Sequence, residues 1–333
     1  MVAPSALTVH WKTDLGAIGT AYTGPVIAAD GTVYVAHPNG TLFAVAPDGK
    51  IVWQTTIATG NSFAAPSIGA DGTIYVGTYD YLYAVAPNGI PIWSVPSEPV
   101  ATSPAIGCDG SIYVGTHYAV PGSPQGAPLS AYSKDGKLLW KIPSQSGISS
   151  LAIDETNSLY VTTFDWHLFR VSTAGVPAWA FTASGPLRAV AVGDDGSIFA
   201  HEGDKQKLWA VTPAGAKLWE TPPVLTGNSY SGIAIAADGT VVVDSDGLRG
   251  FHPLDGAPAF VDSFADPTGP LGAIGGDGTI YVGLGYSLAA VLPNGTVASS
   301  IATKSWLQAK PAIGADGTVY AMSEDGHLYA LGL

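Results

Sequence analysis

The sequence predicts an all-β protein, an eight-bladed β-propeller of four-stranded antiparallel blades whose ring is closed by the N-terminal strand. Three observations predict it. The segment AADGTVYV at Ala28 recurs as GADGTIYV, GCDGSIYV, DETNSLYV, GDDGSIFA, AADGTVVV, GGDGTIYV and GADGTVYA. Its Asp slot falls at Asp30, Asp71, Asp109, Thr156, Asp195, Asp238, Asp277 and Asp316, in steps of 38 to 47 residues, so eight copies account for nearly all of the 333 residues. Each copy carries D-G or N-G turns between alternating strands, the strongest short hairpin signal, because Gly and Asn accept the positive φ that tight turns need. Finally, 42 Gly and 25 Pro argue against an α-helical architecture.

The elements of one copy follow in order. Strand a is a short apolar run ending in the first D-G turn. Strand b is the alternating T-V-Y-V phrase, and Val33-Tyr34-Val35 is apolar on both sides because a blade packs both faces against its neighbours. Strand c reads TLFAVAP and leads into the second D-G or N-G turn. Strand d ends each copy in a tryptophan slot that reads as a docking ring between blades: Trp53, Trp93, Trp140, Trp179 and Trp219, with Phe260 and Ser299 as departures. The eighth copy stops at Leu333 before that slot, whereas LTVHWKTD near the other end places Trp11 in the same phrase. Ala6–Asp14 is therefore expected as the outermost strand of the blade that begins at Pro311, making 1–333 one propeller domain and removing an exposed sheet edge.

The phrase DGxIYVG…LYAVxPDGKxxW resembles the repeats of pyrroloquinoline-quinone-type propellers, including their cofactor-free outer-membrane assembly and exported relatives. The resemblance covers the whole chain and implies the fold. It does not imply one function, since the same blade serves redox enzymes, assembly scaffolds and unrelated catalysts. The quinoprotein dehydrogenases it resembles are longer and place adjacent cysteines over their cofactor. This chain has Cys108 alone, so no cofactor is expected. Exported relatives imply a periplasmic or extracellular location, although no signal segment stands at Met1.

Charge and composition exclude further classes. With 13 basic and 26 acidic residues the net charge is -13, a field that repels nucleic acid and anionic lipid. No run of 18 apolar residues exists to insert in a membrane as a helix. Cys108 reads as a small buried filler. Serine-elbow, zincin, P-loop and Rossmann fingerprints are absent. His37, His117, His167 and His201 lie on different blades, so no metal site is expected.

The two faces of the repeat read differently. The a–b and c–d turns are near copies of one another. The b–c loops vary: HPNG, TYDY, THYAVPGSPQGAP, TFDWH, HEGDKQK, DSDG, LGYS and SEDG. The variable face is thus the candidate recognition surface. In the slot before strand a, only Arg188 and Lys310 break a ring of small or neutral residues. Two residues past the strand-b aromatic, His201 and Asp244 stand out, with Glu202 beside them. Tyr22, Phe63, Tyr79, His117, Tyr118, Trp166, Tyr230, Tyr286 and Trp306 lie further out. Together they read as an aromatic funnel with two cations at its throat, fit for a small anionic ligand or peptide. The plainer alternative pairs Arg188 with Asp244 or Glu202 along a solvated channel.

Two functions follow from these residues. The first is a monomeric binding propeller that holds a ligand or protein partner on the variable face. The alternative is a cofactor-independent lyase, cyclase or hydrolase, with His201 oriented by Asp244, or His117 or Tyr118, as acid–base group, and Arg188 stabilising developing negative charge. In that alternative the carboxylate beside His201 raises its pKa.

Overall fold

The computed structural model describes residues 6–16, 23–58, 64–116, 126–204, 207–223, 232–244, 247–261, 272–307 and 309–332. Every regular element there is a strand, and the strands form eight four-stranded antiparallel sheets: the protein is an eight-bladed β-propeller. The chain divides into two compact units, Gly60–Asn228 and the pair Met1–Thr59 with Ser229–Leu333.

Gly60–Asn228 contains four blades, each ordered a to d. Blade two is Ser67–Ile68, Ile74–Gly77, Tyr81–Val85 and Pro91–Pro96. Blade three is Ala105–Ile106, Ile112–Gly115, Leu129–Tyr132 and Leu138–Ile142. Blade four is Ile148–Ile153, Leu159–Thr163, His167–Val171 and Pro177–Thr182, and blade five is Leu187–Val192, Ile198–Glu202, Lys207–Val211 and Lys217–Glu220. The other unit holds blade one (Val26–Ile27, Val33–Ala36, Thr41–Val45, Ile51–Thr56) and blade six (Ile233–Ile235, Val241–Asp244, Leu248–Phe251, Pro258–Val261). With them are blade seven (Ala273–Ile274, Ile280–Leu284, Ser287–Val291, Val297–Ala302) and blade eight (Ala312–Ile313, Val319–Met322, His327–Gly332, Thr8–Asp14).

The D-G phrase forms a three-residue turn with a left-handed last residue. In blade one Gly49 sits at φ 86°, its N–H bonds to the Ala46 carbonyl, and the Asp48 carboxylate accepts the Lys50 N–H. A β-bulge follows at the same place in the c–d pairing of blades one to seven, at Ala44/Val45 in the first. That is the geometry expected of a type I turn with a G1 bulge. Blade four departs in sequence and keeps the geometry. Asn157 takes the left-handed position at φ 64°, which its short polar side chain tolerates, and Asp154 accepts the N–H groups of Thr156 and Ser158. Asn157 Oδ1 also accepts the backbone N–H of Cys108 from blade three. Cys108 itself is exposed, correcting the expectation of a buried filler: its slot lies on the tip of the a–b turn, where the equivalent Ala29 is exposed too.

Strands b and c are buried almost throughout, while strand d alternates. The tryptophan slot explains how neighbouring blades lock. Trp93, Trp140 and Trp179 lie flat on Gly136, Gly175 and Gly215 of the next blade's c–d turn, where an added Cβ would fall 2.7–2.8 Å from the indole. Each Nε1 donates to the carbonyl two residues before that glycine, in Lys134, Thr173 and Pro213, at 2.7–2.9 Å. Trp11 repeats the lock on Gly49 and Pro47.

Thr8–Asp14 pairs antiparallel with His327–Gly332, completing blade eight as the sequence predicts. This join also accounts for Ser299. Blade eight has no continuous c–d turn on which a ring could dock, and Ser299 Oγ instead accepts the Leu7 N–H at 2.7 Å. A proline of the c–d turn covers the a–b glycine in blades one, two, five, six and seven, as Pro47 covers Gly31. Gly317 of blade eight faces open space among the described residues, beside a cavity of about 430 Å³ lined by His10, Asp277, Tyr281 and Asp316.

Phe260 is the other departure. It docks on Gly295 but leaves a cavity of about 160 Å³ against Pro293, and its ring leans on Gly250, where the paired slots Ala44, Ala84, Ala131 and Ala290 carry a methyl group. A Cβ at Gly250 would lie 2.3 Å from the Phe260 ring. Phe260→Trp should fill the cavity and bond the Pro293 carbonyl, stabilising by about 0.5–2 kcal/mol in denaturant titrations. Gly250→Ala alone should destabilise, yet add stability on top of Phe260→Trp. Additive effects of the two substitutions would refute this account of the seam.

Candidate functional site

The slot shared by Ala36, Gly77, Gly115, Thr162, His201, Asp244, Gly283 and Met322 is the end of strand b. The structure encloses it. An added Cβ at Gly77, Gly115 or Gly283 would collide at 2.2–2.5 Å with Val100 or Leu307 of the following d–a loop or with Ile148 at the start of the next strand a, so this slot is small because a neighbour fills it. His201 is 1% exposed and Asp244 2%. Burial pushes the His201 imidazole down to about 4, opposite to the rise expected of a carboxylate-activated base, so the ring is neutral at pH 7. The Asp244 carboxylate accepts the Gly232 N–H at 2.6 Å, tying strand b of blade six to the residue before strand a.

Glu202 is fully buried and fully engaged. Its carboxylate accepts the Ser184 N–H and hydroxyl and the Trp209 indole N–H at 2.9–3.2 Å. It thereby fixes the d–a loop that delivers Arg188. A methyl group at Gly185 would lie 2.7 Å from Glu202 Oε1, so only glycine lets the loop approach this closely.

Arg188 is the residue left facing outward. Its flanks Leu187 and Ala189 are buried, whereas Arg188 is exposed. The guanidinium lies 5.0 Å from the centroid of the Phe164 ring, a cation–π distance, and the stem packs on Gly203, where a Cβ would fall 2.7 Å from Cγ. Among the described residues no carboxylate stands within 4.0 Å of it; the ion pairs that form there use other residues. Thus Arg188 does not pair with Glu202, and its forked donors point to solvent. Phe164 was not singled out in the sequence, though it stands in the variable TFDWH loop two residues before Trp166.

Trp166 is 48% exposed and holds a φ of 78°, a left-handed conformation that is costly for a bulky side chain. Its N–H bonds to the Thr163 carbonyl, as Gly40 bonds to His37 and Gly326 to Ser323 in the same turn. A tryptophan therefore occupies a glycine position and presents its ring to water.

In the other unit Lys310 is accessible to solvent, yet surrounding protein holds its ammonium below the ordinary lysine range, with Asp244 opposing the shift. The Gly24 backbone approaches its carbonyl closely enough that a Cβ would collide. Tyr286 is exposed and Trp306 half-buried, the Trp306 indole N–H donating to the Tyr286 hydroxyl at 2.9 Å. Tyr79 is exposed on the b–c loop of blade two. Tyr22, Phe63, His117, Tyr118 and Tyr230 lie outside the described residues. Among the described residues no cluster of His, Cys, Asp and Glu is placed to hold a metal ion.

Comparisons place this geometry among known proteins. A family model described as outer membrane protein assembly factor BamB matches residues 4–143 and 79–247. No curated protein matches the sequence significantly. Among solved structures, BamB from Moraxella catarrhalis superposes with a TM-score of 0.78 at 19% identity, covering 99% of this chain and 98% of that one. The quinohemoprotein alcohol dehydrogenase from Comamonas testosteroni gives 0.79 at 12% identity over 98% of this chain and 76% of that one. A streptogramin B lyase gives 0.64 at 13% identity over 98% of both. At these identities the structures share the fold.

Two outcomes follow for stability. Trp166→Gly relieves the left-handed backbone and removes a ring that is half in water, so stability should hold or rise by up to about 1 kcal/mol; a loss larger than that would mean the ring carries packing. His201 binds its proton more weakly in the fold, near 4, than in the unfolded chain, near 6.5. Its contribution is therefore intact above about pH 6.5 and is lost as pH falls toward 4, by up to about 3 kcal/mol. His201→Gln should flatten that part of the pH–stability curve, and an unchanged curve would overturn the assignment.

Proposed function

This chain belongs to the outer membrane protein assembly factor BamB family, and from that premise we propose that it is a binding propeller that recognises an anionic group of a peptide or protein partner at Arg188. The observation that carries this reading is the exposed Arg188 guanidinium, braced on Phe164 and Gly203, with no carboxylate to neutralise it among the described residues. In a chain of net charge -13, an unneutralised cation placed at the variable loops selects for negative charge. Its fork suits a carboxylate or phosphate bidentately. Trp166 supplies an exposed ring two residues from Phe164 for the apolar part of the ligand. Glu202, which sequence reasoning set among ligand contacts, acts here through the loop it holds.

The location that fits this reading is periplasmic or extracellular, and the propeller acts as a monomer and without a cofactor. The enzymatic alternative has less support. A general base must reach its substrate and hold the proton it takes, whereas His201 is enclosed and burial weakens its affinity for a proton.

Isothermal titration with acetylated tetraglutamate, tetraserine and tetralysine peptides tests the proposal. The acidic peptide should bind, the others should not, and added sulfate should compete. Arg188→Ala should weaken binding roughly tenfold to a hundredfold, the worth of a charge-assisted bond of about 1.5–3 kcal/mol. Equal binding by wild type and Arg188→Ala would overturn the reading.

A further inference from the structure

The b–c loops of blades seven and eight and the d–a loop between them form a second constellation of opposite polarity. Trp306 lies on that d–a loop. The loop is pinned to blade seven through Thr303 N–H to the Tyr286 carbonyl at 2.7 Å and Leu307 N–H to the Gly285 carbonyl at 3.0 Å. It is pinned to blade eight through Glu324 N–H to the Trp306 carbonyl at 3.0 Å and the Ser323 hydroxyl to the Ser305 carbonyl at 3.3 Å. Thr303 Oγ1 closes the bend on the Ser305 carbonyl at 2.7 Å. The two rings are thus held in place: their centroids are 5.2 Å apart, tilted by 49°, and the indole N–H is used on the Tyr286 hydroxyl. With those edges tied together, the π faces are what the pair has left to offer.

Glu324 supplies the independent observation. Its Oε1 is buried and has no hydrogen-bond partner among the described residues. Burial holds this carboxyl above the ordinary glutamate range. Its neighbour Asp325 behaves differently, accepting from Tyr329 Oη and the His327 N–H and lying 3.3 Å from the His327 imidazole. One carboxylate of the loop is therefore spent on the fold and the other is not. A buried acceptor without a partner costs stability, and such a group in a native structure calls for a ligand or a proton.

We propose that Tyr286, Trp306 and Glu324 form a site for an organic monocation, an ammonium or guanidinium head on an apolar stem. The rings attract the cation through their faces and Glu324 takes its charge, an arrangement in which desolvated cation–π contacts are strongest. Lys304, the like charge on this loop, is exposed. The cation has two natural sources, a small quaternary or primary amine and a Lys or Arg side chain of a partner.

The test is NMR titration of the indole N–H signals of the full chain, with the Trp306 signal assigned by its loss in Trp306→Phe. The probes are choline, its neutral isostere 3,3-dimethylbutan-1-ol, and the acetylated amides of lysine and arginine. Choline or the amides should shift the Trp306 signal saturably, and the neutral isostere should not. A stronger response to choline identifies a small amine, and a stronger response to the amides a protein side chain. Glu324→Gln and Tyr286→Leu should each weaken binding about fivefold or more. Glu324→Gln keeps the side-chain shape, and an unchanged melting temperature checks that it folds. Arg188→Ala should leave these titrations unchanged, so failure here and failure of the anionic site are told apart. An isostere that binds as well as choline, or an undiminished affinity in folded Glu324→Gln, overturns the proposal.

Discussion

The structure depends on an aromatic ring laid on a left-handed glycine. The D-G turn exists because glycine adopts positive φ without penalty, and the absence of its Cβ leaves a flat patch of backbone. Trp93, Trp140, Trp179 and Trp11 each occupy such a patch and donate one hydrogen bond to the turn that bears it. A single residue thus fixes the turn, the bulge beyond it and the spacing to the next blade. Strands b and c are then free to be wholly apolar, and the opposite loops are free to vary.

This explains why the fold was legible in the sequence and the site only in part. The repeat, the turns, the docking rings and the closing strand Thr8–Asp14 all obey short-range rules that each copy restates. His201 and Asp244 were misplaced in a solvated funnel, although the small residues in their slot carried the correction. Glycine recurs there because Val100, Ile148 and Leu307 of the following segment press on it. Phe164 and Glu324 stood out only as members of the variable TFDWH and SEDG loops, because their meaning lies in partners that sequence does not display: a guanidinium above one, a missing donor at the other. Trp166 was noticed for its ring, yet the stronger signal was its alignment with Gly40 and Gly326.

Where blades depart from the common phrase, the departures divide by cause. Ser299 differs because the join of Thr8–Asp14 with His327–Gly332 lies beside it, and Asn157 because Asp154 takes over the turn bonds. Arg188, Trp166 and Glu324 answer no such structural demand. Among the described residues each leaves something unfinished in the fold: an unpaired charge, a strained backbone, an unsatisfied oxygen. Selection for stability alone would remove all three, which is the physical ground on which they are proposed for recognition.

The pairing of Thr8 with Gly332 spans 324 positions of sequence. During synthesis, Thr8–Asp14 must therefore wait for His327–Gly332, and the loop-closure entropy of that wait falls on a single join. Until then Thr8–Asp14 is a lone strand with both edges open. Its solvent-rich alternation and the charges of Lys12 and Asp14 suit that interval, since they discourage pairing with a neighbouring copy of the chain. The seam that closes blade eight is also the place where a nascent chain is most exposed to exchange with another, so assembly yield should track the rate at which His327–Gly332 is delivered.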